Sequence, residues 1–447
     1  MFKSVGGKIK DKLMKIAEWV HLKFFGHPMS DTMREFLGNL SWSFFGGIIS
    51  GAILFIVNIL AGRWLGPEMY GKYNLVVAIA SSLVIFMTIG LDVSIIRFIS
   101  ISKSISEKIL LIRFVLKRVF VLILIMVIIS LGAIILLRDS DINIFNSVYV
   151  SAVILAIFLS LRMVTDSILR GLGLFLIQAK IRLVESMAVL VFFTAGFYFL
   201  YNSFNQYVFA TIGGYAIFSI LTFLYIKKDF FADIGPGVQI KIKRNTILKY
   251  GLYAMIGSFA SFLFMGSDKI LIGSFINQQS VGVYSAYFTV SIVPITLLQV
   301  IIINVFFPMI SKSLNKQAIF KKINKLFLMS AVPMFGLLSV SSYIALLLFG
   351  DKYSRDIILI GLFSVYAILF FVVGIKQWLL ASISDSSVLD SSIIAIVSGF
   401  IQAGLMFILL KNGFSLHFVI CGIIGAYSIF AILNNYFIKI NLKKYET

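Results

Sequence analysis

A dozen apolar runs, each close to the length of a membrane-crossing helix, set what this chain can fold into. They cover residues 40–62, 73–91, 119–137, 142–161, 183–201, 207–226, 250–266, 283–307, 326–350, 357–374, 393–410 and 414–438. Crossing ~30 Å of hydrocarbon takes roughly 20 apolar residues in a helix, and only helices and closed barrels satisfy every backbone polar group there. The runs are continuous rather than alternating in ten-residue strands, so helices are the reading. Composition agrees, because 60% of the 447 residues are hydrophobic and 13% charged, where soluble domains run at about 45–50% and about 25%. The expected fold class is an all-α integral membrane protein of about 12 transmembrane helices.

The formal net charge is +20, and its placement explains it. With the amino terminus in the cytoplasm, the inner segments hold 32 of the 39 Lys and Arg residues and the outer loops hold 7. Short cytoplasmic segments carry such an excess in multi-pass proteins. The expected localisation is therefore the cytoplasmic membrane, with both termini inside. The positive charge then meets membrane lipids and is no nucleic-acid footprint. One cysteine, Cys421, and three scattered histidines, His21, His27 and His417, make neither a disulfide framework nor a metal site. No cofactor and no catalytic constellation are expected. The first long apolar run starts near Leu40, so no cleavable signal peptide is expected. Upstream of it, residues 8–25 form a basic amphipathic stretch suited to an interfacial helix, and Thr32-Met33-Arg34-Glu35 has the form of a capping box.

The two halves of the chain repeat. Gly62, Gly71 and Tyr73 map onto Gly273, Gly282 and Tyr284 at one constant offset of 211, which also maps Gly46 onto Gly257 and Ser50 onto Ser261. Small residues at equivalent places let helices approach closely. The expected organisation is a basic segment at 1–39, a six-helix bundle at 40–226, a cytoplasmic linker at 227–249, a second six-helix bundle at 250–438 and a tail at 439–447. Bundles of like orientation, related by an axis along the membrane normal, suit a central passage with alternating access.

The motifs carrying this repeat resemble a known family. Ala61-Gly62-Arg63-Trp64-Leu65-Gly66-Pro67-Glu68-Met69-Tyr70-Gly71-Lys72-Tyr73-Asn74, followed by Gly90-Leu91 and Ile96-Arg97-Phe98-Ile99, is similar to the polysaccharide flippase signature. Ser267-Asp268-Lys269-Ile270-Leu271-Ile272-Gly273, Val281-Gly282-Val283-Tyr284-Ser285 and Phe307-Pro308-Met309-Ile310-Ser311 agree in the second half. That family is the oligosaccharide-lipid branch of the multidrug/oligosaccharidyl-lipid/polysaccharide (MOP) exporters. The resemblance implies a V-shaped pair of bundles. Between them a polyprenyl-phosphate- or pyrophosphate-linked glycan, such as an O-antigen unit, moves from the inner to the outer leaflet. A hydrated, cationic cleft would lower the barrier for the anionic headgroup while the lipid tail stays in the membrane.

Ionisable groups at membrane depth are costly and are functional candidates by default. Arg162, Asp166 and Arg170 recur at i, i+4 and i+8 and so share a stripe, which either lines the inner mouth of the passage and meets phosphate or is a solvated helix extension. Arg97 either greets a pyrophosphate or anchors at headgroups. Lys269 is equivalent by offset to Asn58, and either both face substrate and one another across the pseudo-axis or Asp268 and Lys269 form a local ion pair at the interface. Asp268, Glu185 and Asp166 are candidates to bind a coupling proton or sodium ion, although Glu185 is also placed to pair with Arg182 one turn away. Pro294 and Pro333 interrupt the eighth and ninth runs, where a missing donor permits a hinge or a static bend.

Two alternatives stand beside the flippase: a multidrug or small-molecule cation antiporter, whose passage would be acidic or neutral, and a membrane glycan polymerase or ligase. The latter would be expected to carry a large outer loop, and all outer loops here are short. The sequence offers no phosphate-binding Gly-rich loop, so an ion gradient or the substrate's own gradient would drive transport.

Overall fold

The computed structural model describes residue 18 and residues 31–136, 143–199, 203–230, 244–312 and 316–446. Every regular element among them is helical. In chain order these are α1 (Asp31–Thr88), α2 (Leu91–Ile101), α3 (Ile105–Leu136), α4 (Asn143–Gly171), α5 (Phe175–Phe199), α6 (Phe204–Phe230), α7 (Arg244–Met265), α8 (Ser267–Phe275), α9 (Gln278–Lys312), α10 (Lys316–Phe349), α11 (Ile357–Ala381), α12 (Asp385–Lys411) and α13 (Leu416–Glu446). The amphipathic stretch 8–25 and most of the linker lie outside the described residues. The expected tail is helical as far as Glu446.

Among the described residues, ten helices are long and apolar enough to cross a membrane, so the chain is a multi-pass membrane protein. The difference from the twelve expected runs has two sources. The first two runs share the 58-residue α1, which bends at Gly66 (φ 77°, ψ 171°) instead of breaking into a loop. Glycine reaches that conformation without a Cβ penalty, and Pro67, with no N–H to lose, resumes the helix from it. The fifth run lies in α5, which is not among the ten and carries Lys180, Arg182 and Glu185 in its first half.

Several helix boundaries obey the 211-residue offset, whereas the break at Ile89–Gly90 has no counterpart in the continuous α9 and the break at Gly266 has none in α1. Ile105 and Lys316, the first residues of α3 and α10, are 211 apart, and the starts of α5 and α12 and of α6 and α13 agree with it to one residue. The motif glycines explain themselves at the crossing of α1 with α9. A Cβ on Gly71 would overlap the carbonyl oxygen of Gln278, and one on Gly282 would overlap that of Pro67. Gln278 and Pro67 are themselves 211 apart, so each helix offers its partner the same patch, as in an isologous contact.

Four further contacts tie the halves together. The Tyr70 hydroxyl lies 3.2 Å from the Thr289 hydroxyl, and the Tyr353 hydroxyl donates to the Gly62 carbonyl at 3.1 Å. At the other end of the crossing, the break between α1 and α2 docks on α7. There Ser94 Oγ donates to the Ile247 carbonyl at 3.2 Å, and Gly90, at φ 66°, packs on the backbone of Gly251. Large apolar side chains that stay exposed, such as Leu328, Val332 and Ile135, suit a surface solvated by lipid tails.

Candidate functional site

In the first half, α4 and α5 bring the expected charged stripe together with its own counter-charges. Arg162 grips Glu185 through two bonds, Nε to Oε1 at 3.0 Å and Nη2 to Oε2 at 3.1 Å, and its guanidinium lies 4.9 Å from the centre of the Phe218 ring. Asp166 takes Arg170 as an ion-pair partner, accepts from Arg182 at 2.9 Å, and accepts from Gln178 at 2.8 Å. The pairing expected between Glu185 and Arg182 is corrected by this arrangement. Glu185 reaches across to α4, while Arg182 turns to Asp166. Two-pronged arginine–carboxylate bonds are the stronger geometry, and both carboxylates are buried.

At the start of α8, Asp268 is fully buried. It accepts the Tyr284 hydroxyl at 2.5 Å and the Lys269 backbone N–H at 2.7 Å. Lys269 Nζ donates to the Met265 carbonyl at 3.0 Å, lies 3.9 Å from Asp268 Oδ1 and sits 4.5 Å from the Phe288 ring centre. Its repeat equivalent, Asn58, makes the matching bond: Nδ2 donates to the Leu54 carbonyl at 2.9 Å, and Leu54 and Met265 are again 211 apart. Asn58 also accepts from Tyr70 at 3.2 Å. No bond joins Asn58 to Lys269 directly.

Arg97 is exposed on α2 and lies 4.7 Å from the centre of the Tyr250 ring, a cation–π distance across the two halves. Pro294 and Pro333 lie inside α9 and α10, which continue through both. Non-helical backbone occurs at Gly66, at Ile89–Gly90 and at Gly266 between α7 and α8.

The second half holds a feature that sequence reasoning missed, a cavity of about 310 Å³ between α7, α9, α11, α12 and α13. Its polar lining consists of the amides of Gln299 and Gln377 and the hydroxyls of Ser261, Ser391 and Ser392, and rings from Phe264, Phe370, Tyr427 and Phe430 close it. No Asp, Glu, Lys or Arg lines it, and all its wall residues belong to the second half, so it is not the cationic cleft expected between the two bundles. Gln377 donates to the Ser391 carbonyl at 2.5 Å, yet its Oε1 is buried without a partner.

The repeat shows why the cavity is where it is. Val373 and Gln377, on its wall, are the equivalents of Arg162 and Asp166. In the first half those positions are filled by the ionic cluster. A Cβ on Gly46 there would collide with Ala179, whereas its equivalent Gly257 has open space around it. The signal lay in the offset: carrying the charged stripe forward by 211 residues lands on an uncharged one.

Residues 36–314 match the polysaccharide biosynthesis protein family. No curated protein matches the chain. Among solved structures, the fold is similar to a MOP superfamily transporter from Pyrococcus furiosus, described as having a binding pocket of reverse polarity that suggests a different function. That likeness has a TM-score of 0.62 at 16% identity over 94% of this chain and 100% of that one. It is also similar to an inward-facing multidrug resistance MATE family transporter (TM-score 0.60, 17% identity, 86% of this chain and 94% of that one). An outward-facing one gives a TM-score of 0.60 at 18% identity over 93% and 97%. The identities are too low to transfer substrates, since one fold hosts many functions. The family match spans more than half of the sequence, and on it the chain belongs to the polysaccharide biosynthesis protein family, built on the fold of the MOP superfamily transporters.

Proposed function

We propose that the protein flips a polyprenyl-phosphate- or pyrophosphate-linked oligosaccharide from the inner to the outer leaflet of the cytoplasmic membrane, for cell-surface polysaccharide assembly. The observation that carries this reading is the chemistry of the second-half cavity. Amides and hydroxyls exchange hydrogen bonds with sugar hydroxyls, and aromatic faces pack on the apolar faces of sugar rings. A lipophilic cation would instead call for a carboxylate in the wall, and none lines this cavity. That weighs against the multidrug antiporter. The reading assigns no bond-making step to the chain.

Movement follows from the frame. The bodies 40–226 and 250–438 would rock about the Gly71–Gly282 crossing, as repeat transporters rock about a fixed site. Relatives of this fold exist in inward-facing and outward-facing forms. Asp268, Asp166 and Glu185 are the carboxylates placed to answer a coupling proton or sodium ion. Arg97, on the exposed surface of α2, is placed to meet phosphate before entry, and Pro294 and Pro333 could absorb part of the bending.

Deleting the gene tests the reading. Completed lipid-linked units should accumulate on the cytoplasmic leaflet. Unchanged glycans with drug hypersensitivity would transfer the case to the antiporter, and single units displayed outside but never joined would transfer it to a polymerase.

A further inference from the structure

Among the described residues, three lysines are buried: Lys269, Lys316 and Lys376. Two of them have partners. Lys269 has the carbonyl, carboxylate and ring described above, and Lys316 Nζ donates to the carbonyls of Ser382 and Ile383 at 2.9 Å each. Lys376 is 6% exposed and has neither a hydrogen bond nor an ion pair among the described residues. A buried charge without a partner is costly, and groups of that kind inside membranes mark substrate pathways.

Among the described side chains, none supplies Lys376 with a counter-charge. The sequences of α9, α10 and α11 contain no Asp or Glu. The inner end of α10 adds Lys316, Lys321, Lys322 and Lys325. Of the other helices packed on α11, α13 carries a single carboxylate, Glu446, in its last turn, and α12 carries two, Asp385, whose side chain lies outside the described ones, and Asp390, which is held by Asn441 at 2.8 Å. Lys376 also stands between Gly374 and Gln377, both on the wall of the uncharged cavity. The cavity can hold sugar but has no cation of its own for a phosphate. Lys376 is not itself a wall residue; it adjoins Gln377 along the chain, on a neighbouring face of α11 and near that helix's inner end.

We propose that Lys376 is the phosphate anchor for the lipid carrier at this cavity, pairing with the phosphate or pyrophosphate oxygens while the glycan occupies the cavity. This rests on the flippase reading and adds to it a residue and the part of the substrate that the residue recognises. A charged oxygen supplied by the substrate completes a pair that the protein leaves open, so the pair forms only in the loaded state.

The purified full chain in nanodiscs tests it, by thermal unfolding with added polyprenyl phosphate, polyprenyl alcohol or phosphatidylglycerol. Wild type should be stabilised by polyprenyl phosphate and not by the alcohol. Lys376→Met should weaken the phosphate response by at least about tenfold, the scale of removing one partner of a buried charge pair. Without ligand, that variant should melt no lower than wild type, because it removes an unpaired buried charge. Lys376→Arg should keep the response and covers the case in which the methionine variant misfolds. A methionine variant that responds like wild type, or a wild type blind to polyprenyl phosphate, overturns the assignment. An equal response to phosphatidylglycerol assigns the site to ordinary phospholipid and overturns the carrier. None of these outcomes touches the accumulation of lipid-linked units in the deletion strain, which tests the flippase reading separately.

Discussion

Tyr284 donates its hydroxyl to Asp268 at 2.5 Å, and both residues are fully buried. Tyr73, the equivalent of Tyr284, instead lies 3.2 Å from the Thr211 hydroxyl and stacks on Tyr207 at 3.8 Å. The same tyrosine thus serves a carboxylate in one half and a neutral group in the other. Tyr284→Phe leaves a buried carboxylate oxygen short of a donor, which costs about 1–3 kcal/mol, or more for a charged group. Tyr73→Phe removes only a neutral bond and should cost about 1 kcal/mol. Thermal unfolding of the two variants compares them directly. If they lose equal stability, Asp268 does not depend on Tyr284.

The glycine crossing makes a second asymmetric expectation. Gly71→Ala and Gly282→Ala each push a methyl into a backbone carbonyl, which cannot swing aside as a side-chain tip can. Overpacking typically costs ~1–3 kcal/mol and sometimes more. Both variants should lose folded yield in detergent, and by similar amounts, because their surroundings are repeat-related. Gly257→Ala meets no atom within 4 Å and should express like wild type. A well-folded, fully active Gly71→Ala would mean that the two helices do not cross at that point.

Much of this fold is legible in the sequence. Hydropathy locates the membrane-crossing runs, and the offset of 211 read from a few glycines and tyrosines recurs in the starts of α3 and α10, of α5 and α12 and of α6 and α13. What is not legible depends on rotation between helices. Whether Glu185 meets Arg182 on its own helix or Arg162 on α4 is decided by how α4 and α5 turn against each other, and hydropathy carries no record of that. The continuity of α1 through Gly66 was equally hidden, because a Gly-Pro pair fits a loop as well as a bend. In the sequence Lys376 is only one more inner-side charge, since burial by neighbouring helices, unlike burial in lipid, leaves no mark in a local window.

The repeat also supplies a designed exchange for the ionic cluster. Arg162 and Glu185 are equivalent to Val373 and Ile396, so the second half already shows an apolar solution at these places. Glu185→Ile alone strands Arg162 in a largely buried site and should cost about 3 kcal/mol, the lower end for breaking a buried pair. Adding Arg162→Val should recover most of that loss, since replacing such a pair with apolar residues is often neutral. Unfolding measures the recovery, and glycan export measures the role. A stable double variant that exports at the wild-type level would confine the pair to structure, whereas a stable variant that fails to export would place Arg162 or Glu185 in transport.

The last expectation concerns the cavity, where Gln377 Oε1 is buried without a partner. Gln377 lines the cavity, so a turn of its amide on ligand entry would present this oxygen to a sugar hydroxyl, and a site built to hydrogen-bond its ligand rejects one lacking the group. Gln377→Leu is close in size and removes the unsatisfied oxygen, so the empty protein should be no less stable than wild type. It also loses the Nε2 bond to the Ser391 carbonyl, which offsets part of that gain. Binding of the lipid-linked oligosaccharide should weaken by roughly five- to tenfold, the worth of about one hydrogen bond of 1–1.5 kcal/mol, while binding of sugar-free polyprenyl phosphate stays as in wild type. Titrating both ligands against both proteins separates glycan recognition from phosphate recognition. If Gln377→Leu weakens the two ligands alike, the cavity does not read the sugar.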